Sequence, residues 1–207
     1  SDWDGMIPAL TAGKFDVIMD ALAITDDRKK VIDFTVPYAQ TPAGFATASN
    51  GALAKAPGTG SAIALKVGAK GGSEIDALRE AFKGKTIGVM GGTVYGPFLE
   101  TNFGDIATIR EYKTGAERDL DVQTGRIDVG FDDAIYFGSA IEAAKGEIAM
   151  TGPVIGGPIW GDGEALGVRK DDTELRDKLS EAIKSAQADG TIKTLALKWF
   201  KTDVTPQ

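Results

Sequence analysis

Gly13-Lys14-Phe15-Asp16-Val17-Ile18-Met19-Asp20-Ala21 has an echo further along the chain, at Gly125-Arg126-Ile127-Asp128-Val129-Gly130-Phe131-Asp132-Asp133-Ala134. In both stretches a glycine stops a helix, a basic residue follows, and x-Asp-Val opens a short strand that leaves through an acidic residue. The glycine, the strand aspartate and the exit aspartate recur at one constant offset. Two copies of one helix–strand unit predict two similar lobes, although a common helix–Gly–strand junction arising twice gives the same pattern. In open α/β sheets ligands bind beyond the carboxyl ends of the strands, so the residues after Met19 and after Phe131 are where a site is sought.

Outward from these stretches, helix-like and strand-like segments alternate. Trp3, Met6, Ile7 and Leu10 share one helical face ahead of Gly13. Strands are predicted at Phe15–Met19, Phe45–Thr47, Thr86–Met90, Ala107–Glu111, Asp128–Phe131 and Ala165–Val168. Helices are predicted at Tyr95–Thr101, Ala116–Gln123, Asp133–Ala144, Thr173–Ala188 and Ile192–Trp199. The alternation argues an α/β fold with mainly parallel sheets. Gly51–Gly72, rich in Ala, Gly and Lys, reads as a surface insertion or mobile loop.

Composition removes several function classes. The 207 residues contain no Cys and no His, which excludes thiol catalysis, disulfides, thiolate metal sites and His-based triads. A formal charge of −7 disfavours nucleic acid and anionic lipid as partners. No apolar run approaches the ~20 residues of a membrane helix, so direct membrane insertion is not expected. No residue pair offers a nucleophile with its base, and the doublets Asp26-Asp27 and Asp132-Asp133 do not make a glycosidase pair. No catalytic residue, cofactor or metal is assigned.

Three groups suit an amino-acid ligand. Thr25 is an N-cap with Asp26 and Asp27 behind it, and Arg28 sits in that first turn after the strand exit. A guanidinium there can clamp a carboxylate through two parallel hydrogen bonds, although by residue type alone Arg28 reads first as a surface cation paired with a nearby Asp. Gly91-Gly92-Thr93 after Met90 lets backbone approach a ligand, with Thr93 as the cap of the next helix and its free N–H groups as an anion site. A purely structural turn fits it as well. Asp133 reads by default as an N-cap and is also placed to grip an ammonium group. Together the three match the zwitterion of an α-amino acid.

At these residues the chain resembles the bacterial extracellular solute-binding proteins of family 3, which serve ABC importers. The resemblance runs through Asp4-Gly5-Met6-Ile7-Pro8-Ala9-Leu10, Gly13-Lys14-Phe15-Asp16, Ile24-Thr25-Asp26-Asp27-Arg28, Phe34-Thr35-x-Pro37-Tyr38, Gly88-Val89-x-Gly91-x-Thr93, Gly125-Arg126-Ile127-Asp128, Gly161-Asp162-Gly163, Asp189-Gly190-Thr191 and Lys198-Trp199-Phe200. Gly51–Gly72 and the ending from Lys198 are most similar to the lysine/arginine/ornithine and opine (octopine, nopaline) branch. The resemblance implies a periplasmic binding protein-like type II fold, two lobes with a ligand cleft between them: lobe one from 1–39 plus 163–207, lobe two from 40–162. It implies a periplasmic protein that hands an amino acid or opine to a membrane permease of an ABC importer. Arg28 matches the family's carboxylate-binding Arg, the backbone of Ala23 and Thr93 the other carboxylate contacts, and Asp133 the ammonium-binding Asp. Where cationic-amino-acid binders often carry Ser-Ser-x-Ser, this chain has Asp20-Ala21-Leu22-Ala23, and Met90-Gly91-Gly92-Thr93 with Val94 replaces Gln-Gly-Ser-Thr. A roomier pocket and a large conjugate such as an opine follow, so Asp20, Ala21, Met90, Gly91 and Val94 join the expected ligand contacts. Family members carry a strand, a helix and a strand before the point where this sequence opens, so lobe one is expected to be incomplete without them. A dehydratase on the same scaffold, using Asp20 or Asp132 as acid or base, and the ligand-binding module of a membrane receptor are the competing readings.

Overall fold

The computed structural model describes residues 3–70 and 72–206. The chain divides into two compact units, Ser1–Thr41 with Trp160–Gln207, and Pro42–Ile159. In the first unit α1 (Met6–Thr11) buries Met6 and Leu10, the positions its helical spacing selects, and ends before Gly13 at φ +72°. Strand β1 spans Ile18–Ala23, not the predicted Phe15–Met19. The carbonyl of Phe15 is taken by the Arg169 guanidinium at 2.8 Å and Asp16 pairs with the same group, so this stretch is bonded to a side chain before the sheet begins. Helix α2 (Asp26–Lys29) is capped by Thr25, whose hydroxyl accepts the Arg28 N–H at 3.3 Å, and the two-residue β2 (Asp33–Phe34) follows.

The second unit opens with β3 (Ala43–Ala48) and β4 (Ala62–Ala64). Helix α3 (Ser73–Phe82), β5 (Thr86–Met90), α4 (Tyr95–Phe103) and β6 (Thr108–Tyr112) follow. Next come α5 (Gly115–Gln123), β7 (Val129–Asp133), α6 (Ala134–Ala143) and β8 (Ile148–Gly156). The sheet order is β4-β8-β3-β7-β5-β6. Pairs β4–β8, β5–β6 and β5–β7 are parallel, while β3 runs against both β7 and β8. The core is aromatic: the Phe45 ring lies 5.0 Å from Phe82, 5.7 Å from Phe103 and 4.4 Å from Phe131, in the edge and tilted arrangements that ring quadrupoles favour.

The chain returns to the first unit as β9 (Glu164–Val168) and finishes with α7 (Thr173–Ala188) and α8 (Thr191–Phe200). Strand β9 lies between β1 and β2 and runs against both. The expectation of mainly parallel sheets is therefore corrected: the first unit's sheet is antiparallel and the second unit's is mixed. The departure comes from β3 and β9, which enter their sheets without a crossover helix from a neighbouring strand and so are free to run in the opposite sense. Met6, Leu10, Ile18, Leu22 and Ile32 form a core here, with Trp3, Ile7, Phe15 and Phe34 against it.

Gly51–Gly72 is more ordered than a mobile loop; Gly71 within it lies outside the described residues. Besides β4, the segment is tied to β8 by two threonines. The Thr151 hydroxyl donates to the Leu53 carbonyl and accepts the Ala56 N–H at 3.2 Å. The Thr59 hydroxyl donates to the Ala56 carbonyl at 2.6 Å and accepts the Gly152 N–H at 2.9 Å. Thr151 has no exposed surface, and the Ala56 N–H also donates to the Leu53 carbonyl at 3.1 Å within the turn, so Thr151→Val keeps the turn but removes the two bonds that tie it to β8, about 0.5–1.5 kcal/mol each. Hydrogen exchange of this variant is expected to show faster opening of residues 53–61 with the sheet amides unchanged. Equal protection in both proteins would show that the segment is held by other contacts.

Candidate functional site

In the first unit the expected site residues lie along and just after β1. The Arg28 side chain is half-buried, its Nη1 donates to the Ala23 carbonyl at 2.9 Å, and its guanidinium carbon lies 5.8 Å from the centroid of the Trp3 ring. Both contacts orient the fork of a residue that the Thr25 cap has already fixed at the backbone. Upstream, the register of β1 on β9 shifts between Ile18 and Leu22. Met19, Asp20 and Ala21 stand exposed between buried Ile18 and Leu22. Ala21 has φ +47°, a left-handed conformation that costs a residue with a Cβ about 1–3 kcal/mol and concentrates at functional sites. The Tyr38 hydroxyl holds it there, accepting the Ala21 N–H at 3.1 Å. Burial, then the negative charge of Glu164, pushes the Tyr38 phenol up to about 12, so it stays neutral and keeps its own proton to donate. Tyr38 was not among the expected site residues. The bulge it supports needs the register of β1 on β9, which no local pattern contains.

In the second unit the expected residues lie at the ends of β5 and β7, parallel neighbours that pair through Ile87–Val89 and Val129–Phe131. After Met90 the chain turns through buried Gly91 and through Gly92 at φ +71°. Thr93 does not cap α4 as expected. Its hydroxyl donates to the Met90 carbonyl at 2.8 Å, and the N-cap position falls on Val94 in helical conformation. The turn spends the hydroxyl on its own closure.

Asp133 is the N-cap of α6: its Oδ1 accepts the N–H groups of Ile135 at 2.6 Å and Tyr136 at 3.2 Å. Its own N–H donates to Asp132 Oδ1 at 2.8 Å. Asp132 is buried and forms an ion pair with Arg118, a residue with no exposed surface. Arg118 was missed in the sequence, where an Arg inside α5 reads as a surface residue. A signal was present: Gly115, Arg118 and Val122 fall at helical spacing on one buried face.

Among the described residues no helix is long and apolar enough to cross a membrane, and no group of three or more acidic residues is placed to hold a metal ion.

Known proteins share both the sequence and this architecture. Residues 1–202 match the family described as bacterial extracellular solute-binding proteins, family 3. The octopine-binding periplasmic protein of Rhizobium meliloti is 38% identical over 99% of this chain and 76% of its own length. The L-arginine-binding protein of Pseudomonas aeruginosa is 30% identical over 98% of this chain and 71% of its own length. A crystal structure of a periplasmic His/Glu/Gln/Arg/opine family-binding protein from Silicibacter pomeroyi in complex with lysine is 29% identical, with a TM-score of 0.74 over 100% of this chain and 79% of that one. The mixed α/β units are those of the type II periplasmic binding fold, and the chain belongs to the bacterial extracellular solute-binding proteins of family 3.

Proposed function

We propose that the chain captures a cationic amino acid or an opine outside the cytoplasm, in the periplasm, and delivers it to the membrane permease of an ABC importer. The observation that carries the reading is the pairing of chemistries at the strand ends. One unit presents an oriented guanidinium, Arg28, and the other an oriented carboxylate, Asp133. The guanidinium suits a ligand's α-carboxylate, and the carboxylate suits an amine nitrogen. The backbone at Ala23 and Thr93 adds carboxylate contacts, and Met90, Gly91 and Val94 line the turn that approaches the ligand. Asp20, exposed with Ala21 on the strained bulge, supplies a second negative charge suited to a guanidinium or ammonium side chain. The octopine- and arginine-binding relatives support this choice of ligand class.

Binding without turnover is part of the same reading. A dehydratase on this scaffold would use Asp20 or Asp132 as acid or base, and Asp132 is engaged by Arg118.

Removing the guanidinium leaves a ligand carboxylate desolvated and unpaired, and truncating one partner of such a pair costs about 2–5 kcal/mol. Calorimetry is therefore expected to show Arg28→Ala weakening L-arginine and octopine by that amount, and unchanged affinity would remove Arg28 from the site. Asp20→Asn separates side-chain recognition from the zwitterion. L-arginine should lose about 1.5–3 kcal/mol, the scale of a hydrogen bond to a charged group, while the weaker binding of glutamine changes little. Equal losses for both ligands would show that Asp20 does not read the side-chain charge.

A further inference from the structure

Arg118 is the largest side chain among the described residues with no exposed surface, and the ligand reading above does not use it. Each of its three guanidinium nitrogens donates a hydrogen bond. Nη1 donates to the Phe131 carbonyl at 3.1 Å and to the Asp132 carboxylate. Nε and Nη2 donate to Asp119 Oδ1 at 3.0 and 2.8 Å. The other oxygen of Asp119 accepts the Tyr136 hydroxyl at 2.7 Å. The guanidinium carbon lies 4.9 Å from the centroid of the Phe137 ring and 5.3 Å from that of Tyr136. Burial works against the charge, and the carboxylates of Asp132 and Asp119 outweigh it, holding the Arg118 pKa above its ordinary value.

The sheet is shaped to admit this side chain. Gly88 of β5 and Gly130 of β7 are cross-strand partners. A Cβ at Gly88 would stand 2.9 Å from Arg118 Cγ, and one at Gly130 would stand 3.2 Å from its Nε. On α5, Gly115 gives Tyr136 its seat, since a Cβ there would fall 2.6 Å from the phenol oxygen. An apolar residue in place of Arg118 would fill the same volume, and a buried ion network is seldom more stabilising than well-packed hydrophobic residues. Its contacts instead converge on Asp133: the Phe131 carbonyl and Asp132 precede it, Asp132 also holds its N–H, and Tyr136 and Phe137 belong to the helix it caps.

We infer that Arg118 is a positioning and specificity residue, which fixes the Asp133 carboxylate for the ligand's amine and takes the neighbouring Asp132 charge out of play. The Asp132-Asp133 doublet then offers one carboxylate and matches one amine nitrogen, the primary ammonium of an amino acid or the secondary amine of an opine. The inference rests on the ligand reading proposed above.

The test compares a ligand carrying that nitrogen with one lacking it. The probes are whichever of L-arginine and octopine binds the native chain more tightly, and argininic acid, in which a hydroxyl replaces the α-ammonium. The first variant joins Arg118→Met with Asp132→Asn and Asp119→Asn, so that no carboxylate is left buried without its cation. The second, Tyr136→Phe, keeps every charge and removes only the hydroxyl bonded to Asp119. Preference for the amine over argininic acid should fall about ten-fold in the triple variant, the equivalent of roughly 1.4 kcal/mol, and about two- to three-fold in Tyr136→Phe, with argininic acid binding nearly unchanged. A purely structural role would weaken both ligands alike, and an unaltered preference in the folded variants overturns the inference. If the triple variant does not fold, Tyr136→Phe decides alone. A native chain that binds neither L-arginine nor octopine removes the ligand reading and this inference together, whereas native binding with an unaltered preference removes only the inference.

Discussion

A guanidinium with no exposed surface must be surrounded by acceptors, and at Arg118 much of the second unit is arranged to supply them. Asp132 at the end of β7, Asp119 on α5 and the Phe131 carbonyl take its N–H groups. The rings of Tyr136 and Phe137 lie against it. Two glycines in adjacent strands leave the room. Removing the guanidinium would strand the two carboxylates that face it, and breaking a buried pair from one side costs about 3–5 kcal/mol. Strand β7 and helix α6 meet at Asp133, and their junction is thereby fixed by contacts on both sides of it.

The first unit reaches a comparable end by a different device. There a strand is bulged, a residue with a Cβ is held in the left-handed region, and a tyrosine hydroxyl secures it. Such strain persists only where the surroundings over-determine it, and here it leaves Asp20 and Ala21 exposed on β1, upstream in the chain of the turn that carries Arg28. The two units thus use the same positions after a strand, one to orient a cation and the other an anion.

Much of this was legible in the sequence, for reasons that can be named. The expected bounds of helix α7 and of β5 coincide with the observed ones, since each carries its own period and its own boundary residues. Thr25 and Asp133 act as the caps their residue types imply. Gly13 and Gly125 both sit in the left-handed region that a helix stop requires. What escaped was set by partners distant in the chain. Strand β8 gave no alternation, since its burial follows no period of two, and it ends in Gly-Pro-Val-Ile-Gly, which reads locally as a turn. Helix α3 adjoins the Ala/Gly/Lys-rich segment and was masked by it. Arg118 and Tyr38 draw their roles from tertiary contacts, and Thr93 spends its hydroxyl on the turn behind it because the two glycines bring the Met90 carbonyl within reach.

The central claim is that this chain holds, unchanged, a small molecule bearing an α-carboxylate and an amine nitrogen. Native mass spectrometry of the chain titrated with octopine, L-arginine, L-histidine and prephenate addresses it most directly. The account predicts a one-to-one complex with octopine or L-arginine whose ligand mass does not change with time, and no conversion of prephenate. Absence of a complex with every amine-bearing ligand, or loss of water and carbon dioxide from prephenate, would contradict it.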